Sequence, residues 1–382
     1  MLERVIYNLP CAQAIKEEAD KRNAERVFLL TIPELSQYTP EIEKIRKALG
    51  TKYAGLYDTI PPHAPMDHVL EAAAKARQTA ADMIVSIGGS SVTDACKVLS
   101  ICLKHGLTSV EQLEPYHYSV DERGRFFAPQ FEGPDIPIVA VPTTLSGAEF
   151  TDIAGAKNHV KQIKEGFKHA QLVPRTVILD PTITVHTPDW LWFSTGVRAL
   201  DHTIETLGSL LSNDFCDGLA ESALKLLFQG LRNVKKNPTD LDARLKCQFG
   251  VWQSMMPGAA GVPMGVSHAI GHVLGGYLNI PHGYTSCVIA PYAMSYNETH
   301  NRNRQNRIAQ ALGHPDRNPS ELIKAFIIEL EMPYNLQSVG IINSEKFQTI
   351  AEKCMLEPWI WTNPRPITKP EDVIEILKMA QS

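Results

Sequence analysis

In Gly196-Val197-Arg198-Ala199-Leu200-Asp201-His202, an arginine and a histidine stand four residues apart. On a helix that spacing projects both side chains from one face toward a single centre. A fixed guanidinium there can clasp an anion and opposes a divalent metal ion. His268 and His272 repeat the four-residue spacing, and His282 follows in Pro281-His282-Gly283, after the break at Gly275-Gly276. Together with His202 these are four imidazoles concentrated in the second half of the chain. Such a set suits metal ligation or proton transfer, and spacing alone does not choose between them.

A different chemistry is written into the first half. Gly88-Gly89-Ser90-Ser91 follows an apolar run and opens a stretch containing Asp94 and Lys97. Backbone N–H groups there can converge on a phosphate without obstruction by Cβ atoms. Two glycines alone also make an ordinary tight turn. Pro142-Thr143-Thr144-Leu145-Ser146-Gly147 ends a second apolar run. Open α/β sheets bind ligands outside the carboxyl ends of their strands, and two hydroxyl-bearing loops at one edge suit a nucleotide's phosphates and sugars.

The elements that must carry these residues alternate. Short runs rich in β-branched and apolar residues cover 26–31, 53–57, 82–87 and 136–141, and a further run covers 176–179. Helical patterns are expected over 67–80 and 91–104. Strands alternating with helices predict a parallel, Rossmann-like α/β sheet. From about Pro188 onward long helical patterns dominate, such as 221–233 and 319–330. The boundary is placed near Thr182, with an α/β domain over 1–182 and an all-α domain over 183–382. The stretch 115–134, rich in turn formers, charges and aromatics, reads as a surface insertion.

Length, composition and charge narrow the function class. With 382 residues, 44% hydrophobic and 21% charged, the chain is globular and long enough for two cores. A formal net charge of -5 with no sustained Lys/Arg block gives no footprint for nucleic acid or an anionic membrane. Small-molecule chemistry is expected. No secretory signal or bilayer-spanning apolar run is evident, and seven scattered cysteines without a Cys-x-x-Cys pair read as buried thiols in a reducing cytoplasm.

Taken in order, these pieces resemble the iron-containing (group III) alcohol dehydrogenase family, which shares its architecture with glycerol dehydrogenase and dehydroquinate synthase. The resemblance rests on Gly88-Gly89-Ser90-Ser91 with Asp94 and Lys97, Pro142-Thr143-Thr144, Leu179-Asp180-Pro181, Ala199-Leu200-Asp201-His202, and His268-x-x-x-His272 followed by Pro281-His282-Gly283. It implies a dinucleotide-binding domain, a helical catalytic domain, and a nicotinamide directed to the cleft between them. The cofactor residues it implies are Gly88, Gly89, Ser90, Asp94, Thr143, Thr144, Ser146 and Lys164. At Thr31-Ile32-Pro33, counted with the cofactor residues, no acid is present to clasp a ribose 2′-hydroxyl, so NADPH is expected to serve as well as NADH.

Metal-dependent members of that family hold the ion with one aspartate and three histidines. The histidine positions match His202, His268 and His282, whereas the aspartate position is Arg198. Asp201 does not replace it, because adjacent helical positions diverge by about 100°. The Arg-Ala-x-Asp-His pattern is similar to the maleylacetate reductase branch, which implies reduction of maleylacetate to 3-oxoadipate, an aromatic-catabolic step, without a tightly bound metal. On this reading His272 donates or relays a proton, Arg198 clamps a carboxylate, and His202, His268 and His282 shape the pocket. A salt bridge from Arg198 to Asp201 or Glu205 is the structural alternative. Two other functions stay open: an alcohol dehydrogenase or aldehyde reductase with iron or zinc on the three histidines, and a non-catalytic nucleotide sensor. A homo-oligomer, most simply a dimer, is expected from the resemblance.

Overall fold

Five apolar runs of the first half, with one at the chain start that periodicity did not mark, lie side by side in a parallel sheet. The computed structural model describes residues 2–121, 126–161 and 163–381. In chain order the first half runs β1 (Arg4–Tyr7), α1 (Cys11–Lys21), β2 (Val27–Leu30), α2 (Pro33–Tyr38), α3 (Glu41–Leu49), β3 (Tyr53–Tyr57), α4 (Met66–Gln78), β4 (Met83–Gly88) and α5 (Ser90–His105). It continues through β5 (Ser119–Val120), β6 (Phe126–Phe127), β7 (Ile138–Pro142), β8 (Ile153–Asn158), β9 (Ile163–Lys168), β10 (Thr176–Leu179) and α6 (Pro181–Thr184). The sheet order is β1-β10-β7-β4-β2-β3, and each of its five pairings is parallel.

β2, β4, β7 and β10 are buried throughout, as expected of strands covered on both faces. Alternate side chains separate into two cores. Val27, Leu29, Val85 and Val139 pack with α1 and α3, while Phe28, Leu30, Ile84 and Ile138 pack with α4 and α5. β8 and β9 form an antiparallel hairpin outside this sheet, which the sequence reading did not anticipate. Its exposure pattern alternates, but Gly155, Lys157, Lys164 and Gly166 dilute the apolar signal. The short pair β5–β6 lies within the expected insertion, whose residues 122–125 fall outside the described set.

The second half carries α7 (Asp189–Gly208), α8 (Asp214–Lys236), α9 (Leu241–Ala259), α10 (Val266–Leu278), α11 (His282–Ala311), α12 (Pro319–Glu329), α13 (Phe347–Cys354) and α14 (Pro370–Met379). Two compact units emerge, Met1–Ser119 with Phe127–Thr187, and Val120–Phe126 with Pro188–Ser382. The division at Thr187/Pro188 keeps α6 with the sheet, because Thr187 Oγ1 donates to the Thr143 carbonyl at 2.7 Å. In the helical unit α7 is buried on nearly all sides, the mark of a central helix. Among the described residues no helix is long and apolar enough to cross a membrane.

Candidate active site

In the first unit, the glycine loop forms as its residue types require. Gly88 has φ 155°, and a Cβ there would meet Val92 Cγ2 at 2.7 Å. Gly89 caps α5 without any side-chain acceptor; the Val92 and Thr93 N–H groups bond its carbonyl, so the N–H groups of Ser90 and Ser91 end a 16-residue helix without a side-chain acceptor. The Thr143 N–H donates to the Gly88 carbonyl at 3.0 Å, which sets the second loop against the first. A Cβ on Gly89 would lie 3.0 Å from Thr144 Cγ2, and Thr144 Oγ1 lies 3.1 Å from Ser146 Oγ. Gly88, Gly89, Ser90, Thr143, Thr144 and Ser146 are thus brought together at the carboxyl ends of the two central strands, β4 and β7.

Two further expected cofactor residues meet nearby. Lys164 on β9 lies across Gly155, where a Cβ would stand 2.1 Å from its Cε, and its ammonium is 3.7 Å from Asp94 Oδ2. Lys97 has a structural place. Its ammonium is buried, donates to the carbonyls of Ala148, Thr151 and Ile153 at 2.7–2.8 Å, and is pushed down to about 8 by burial. Thr31 corrects the sequence reading. Its side chain is fully buried and its hydroxyl donates to the Ile87 carbonyl at 2.8 Å, so it is spent on holding β2 to β4.

In the helical unit, α7 delivers Arg198 and His202, α10 delivers His268 and His272, and His282 opens α11. The rings of His202 and His268 stack with centroids 4.7 Å apart, and those of His272 and His282 lie 5.9 Å apart. Gly275 makes room for this, since a Cβ on it would meet His282 Cε1 at 2.7 Å. Arg198 Nη1 donates to Ser286 Oγ at 3.4 Å, a weak bond, and among the described residues no carboxylate lies within 4.0 Å of its guanidinium. The expected alternative of an ion pair to Asp201 or Glu205 is not formed.

Those two carboxylates turn to α10 instead. Glu205 accepts from the backbone N–H groups of Gly265 and Ser267, each at 2.8 Å, and lies 2.7 Å from His268 Nδ1. It therefore caps α10 and orients one imidazole at once. Asp201 accepts from Ser267 Oγ at 2.8 Å and stands 3.6 Å from His268 Nδ1. Asp201 stands three positions from Arg198, about 60° around the helix rather than the 100° that separates neighbours, so the two share a face, and α10 approaches from the side that Asp201 faces.

Burial controls the charges. It holds His202 well below the usual imidazole range, with His268 and Arg198 adding to the effect. It does the same to His268, helped by Arg198 and His272. Asp201 and Glu205 are raised by burial, Asp201 further by the neighbouring Glu205. Burial thus favours neutral His202 and His268 rings beside one permanent cation.

Three donors among these residues could serve a metal in another setting: Asp201, Glu205 and His268 place ligand atoms within 4.8 Å of one another. In the first unit Glu114, His117 and Glu165 do likewise, but the Lys161 ammonium already pairs with both glutamates. The sequence reading missed Glu357 and Trp359. Glu357 Oε2 lies 3.2 Å from His272 Nδ1, and the Trp359 ring meets the His272 ring edge-on at 4.5 Å. Glu205 was legible, lying three residues past His202 on the same helix face; Glu357 is 85 residues from its partner and gave no spacing signal.

Comparison with known proteins agrees with this architecture. Residues 3–181 match the family model for iron-containing alcohol dehydrogenase, and residues 192–381 match that for the C-terminal part of the Fe-containing alcohol dehydrogenase family. The chain belongs to the iron-containing alcohol dehydrogenase family and is an NAD(P)-dependent oxidoreductase. It is 32% identical to dehydrogenase FUM7 of Gibberella moniliformis, covering 98% of this chain and 95% of that protein. It is 29% identical to a maleylacetate reductase of Burkholderia cepacia, covering 98% and 94% respectively. Among solved structures, one described as a putative alcohol dehydrogenase from Ralstonia eutropha JMP134 superposes with a TM-score of 0.84 at 28% identity, covering 100% of this chain and 96% of that one.

Proposed function

We propose that this enzyme uses NADH or NADPH to reduce a small carboxylated oxo compound of the maleylacetate kind, with Arg198 holding a substrate carboxylate. The observation that carries this reading is the arginine itself: a cation beside the neutral His202 and His268 rings, with several N–H donors uncommitted and, among the described residues, no carboxylate in ion-pair contact. Guanidinium binds a carboxylate through two parallel hydrogen bonds, and it stabilises negative charge that develops as hydride arrives. The relationship to a maleylacetate reductase supports the choice of substrate class.

The reaction divides between few groups. A hydride passes from C4 of the dihydronicotinamide to the electrophilic carbon of the substrate, and a proton completes the reduction. His272 is the donor, being the histidine of α10 that is partly exposed rather than sealed. His202, His268 and His282 form the wall around it.

A resident divalent ion is the second reading, favoured by one observation. His202 Nδ1 and His268 Nε2 are buried without a hydrogen-bond partner among the described residues, and Glu205 orients His268 as a ligand's outer partner would. The full set nevertheless does not fit such an ion. Arg198 already depresses both rings, and at about 6 Å, in a medium of effective dielectric 20, its repulsion of a divalent ion amounts to about 5 kcal/mol.

The test is an NADH and NADPH oxidation screen with maleylacetate, related oxo-dicarboxylates and simple aldehydes, with metal content measured on the same sample. Arg198→Ala is expected to lower kcat/KM for maleylacetate about 100-fold, the loss of a charged bidentate contact worth about 3 kcal/mol. An unchanged kcat/KM would remove the clamp, and a stoichiometric metal whose chelation abolishes turnover would establish the second reading.

A further inference from the structure

One segment near the C-terminus touches both histidines of α10. Glu357 reaches His272 Nδ1 at 3.2 Å. Two residues on, the Trp359 ring stands edge-on to His272 at 4.5 Å and to His268 at 6.1 Å. The segment is anchored to the start of the same helix. Thr362 Oγ1 donates to the Met264 carbonyl at 2.7 Å, and Asn363 Oδ1 accepts from the Val266 N–H at 3.1 Å. Its own backbone is fixed as well, with the Glu357 N–H on the Cys354 carbonyl at 3.0 Å and Pro358 restricting the next φ.

We propose that Glu357 is the positioning residue for His272: it accepts the Nδ1–H bond and thereby assigns Nε2 as the nitrogen that exchanges a proton with the substrate. This rests on the reading of His272 as the proton donor. The geometry is that of a carboxylate fixing the tautomer and ring orientation of a general acid. Trp359 supplies the wall that stops the ring from turning over, which would exchange the two nitrogens. Both contacts come from one short, tethered stretch, so ring angle and tautomer are set together.

The step balances without Glu357 changing state. Hydride from C4 of the dihydronicotinamide forms the new C–H bond, oxidising the cofactor and reducing the substrate by two electrons. The Nε2–H bond of the imidazolium breaks and its proton goes to the substrate. The neutral ring is left with Nδ1–H on the glutamate, ready to take a proton from water at Nε2.

Glu357→Gln keeps an acceptor oxygen but not the charge, and Glu357→Ala keeps neither. With maleylacetate and NADH, Glu357→Gln is expected to lower kcat about tenfold and Glu357→Ala about 100-fold, with KM for NADH within twofold of the parent. A merely structural role would lower Tm and active fraction without changing which nitrogen of His272 carries the proton. Histidine-selective ¹⁵N NMR on the full-length chain, with the His272 signal assigned from His272→Asn, reads the tautomer directly. Nδ1–H is expected in the parent and in Glu357→Gln, and a loss of that preference in Glu357→Ala.

The outcomes separate. If His272→Asn retains the parent kcat, the proton-donor reading fails. If His272→Asn abolishes turnover while Glu357→Ala leaves kcat and the His272 tautomer unchanged, the positioning role of Glu357 is overturned.

Discussion

Among the described residues no carboxylate touches the Arg198 guanidinium, so its charge is not cancelled by direct contact. Restoring a carboxylate there recreates a set of one acid and three imidazoles. Arg198→Asp is therefore expected to bind about one equivalent of zinc or iron, read by elemental analysis after metal loading and gel filtration, while the parent stays below about a tenth of an equivalent under the same treatment. Equal metal content in both proteins would show that charge at position 198 does not control the site. Arg198, His202, His268 and His272 were legible in the sequence because each pair shares one helix face, a local property. The pairing of Glu205 and Asp201 with His268 was not, since it depends on how α10 lies against α7.

At the scale of the helix, α7 carries its acids at a cost that changes with pH. Burial raises Asp201 and Glu205, so near neutrality the folded chain holds protons that the unfolded chain has released, and stability falls as pH rises through their folded pKa. Buried neutral His202 and His268 act in the opposite sense only below about 6.5, where unfolded imidazoles take up protons. Above that, the carboxylates dominate, together with Glu149, which burial lifts to about 7. Lys97, depressed to about 8, adds stability with rising pH only beyond its own folded value. Melting temperature should thus decline between about pH 6.5 and 8, and Asp201→Asn should flatten that decline; an identical slope in the variant would place its origin elsewhere.

The turn from β4 into α5 is held by a steric constraint at Gly88. A Cβ at residue 88 would overlap the Val92 side chain one turn into the helix. Gly88→Ala is expected to destabilise the fold by about 1–3 kcal/mol, seen in denaturant midpoints, and to weaken NADH binding at least tenfold in fluorescence titration. Binding at parental affinity would separate this loop from the cofactor.

Across the whole molecule, the parallel sheet was readable because its central strands are nearly continuous apolar runs separated by helical spacing. The opening strand β1 was not, as its four residues sit at the sheet edge and are half exposed. The β8–β9 hairpin hid behind its lysines and glycines, although it brings Lys164 to Asp94. Neither loop contacts over long separations, such as Glu357 with His272, nor the exact end of a unit follow from local periodicity.

The burial of all seven cysteines gives the chain a property that neither catalysis nor packing would single out. Cys96 and Cys102 sit in the core under α4 and α5, Cys11 on the opposite face of the sheet, and Cys354 in the helical core. Burial pushes these four thiols up, so each is shielded and poorly ionised while its surroundings stay closed. Labelling with a maleimide, followed by peptide mass spectrometry, should give negligible modification within minutes at neutral pH and complete modification in denaturant. Any sulfur that reacts early would date the opening of its own core, which makes the protein a set of built-in clocks for local unfolding in each of its units.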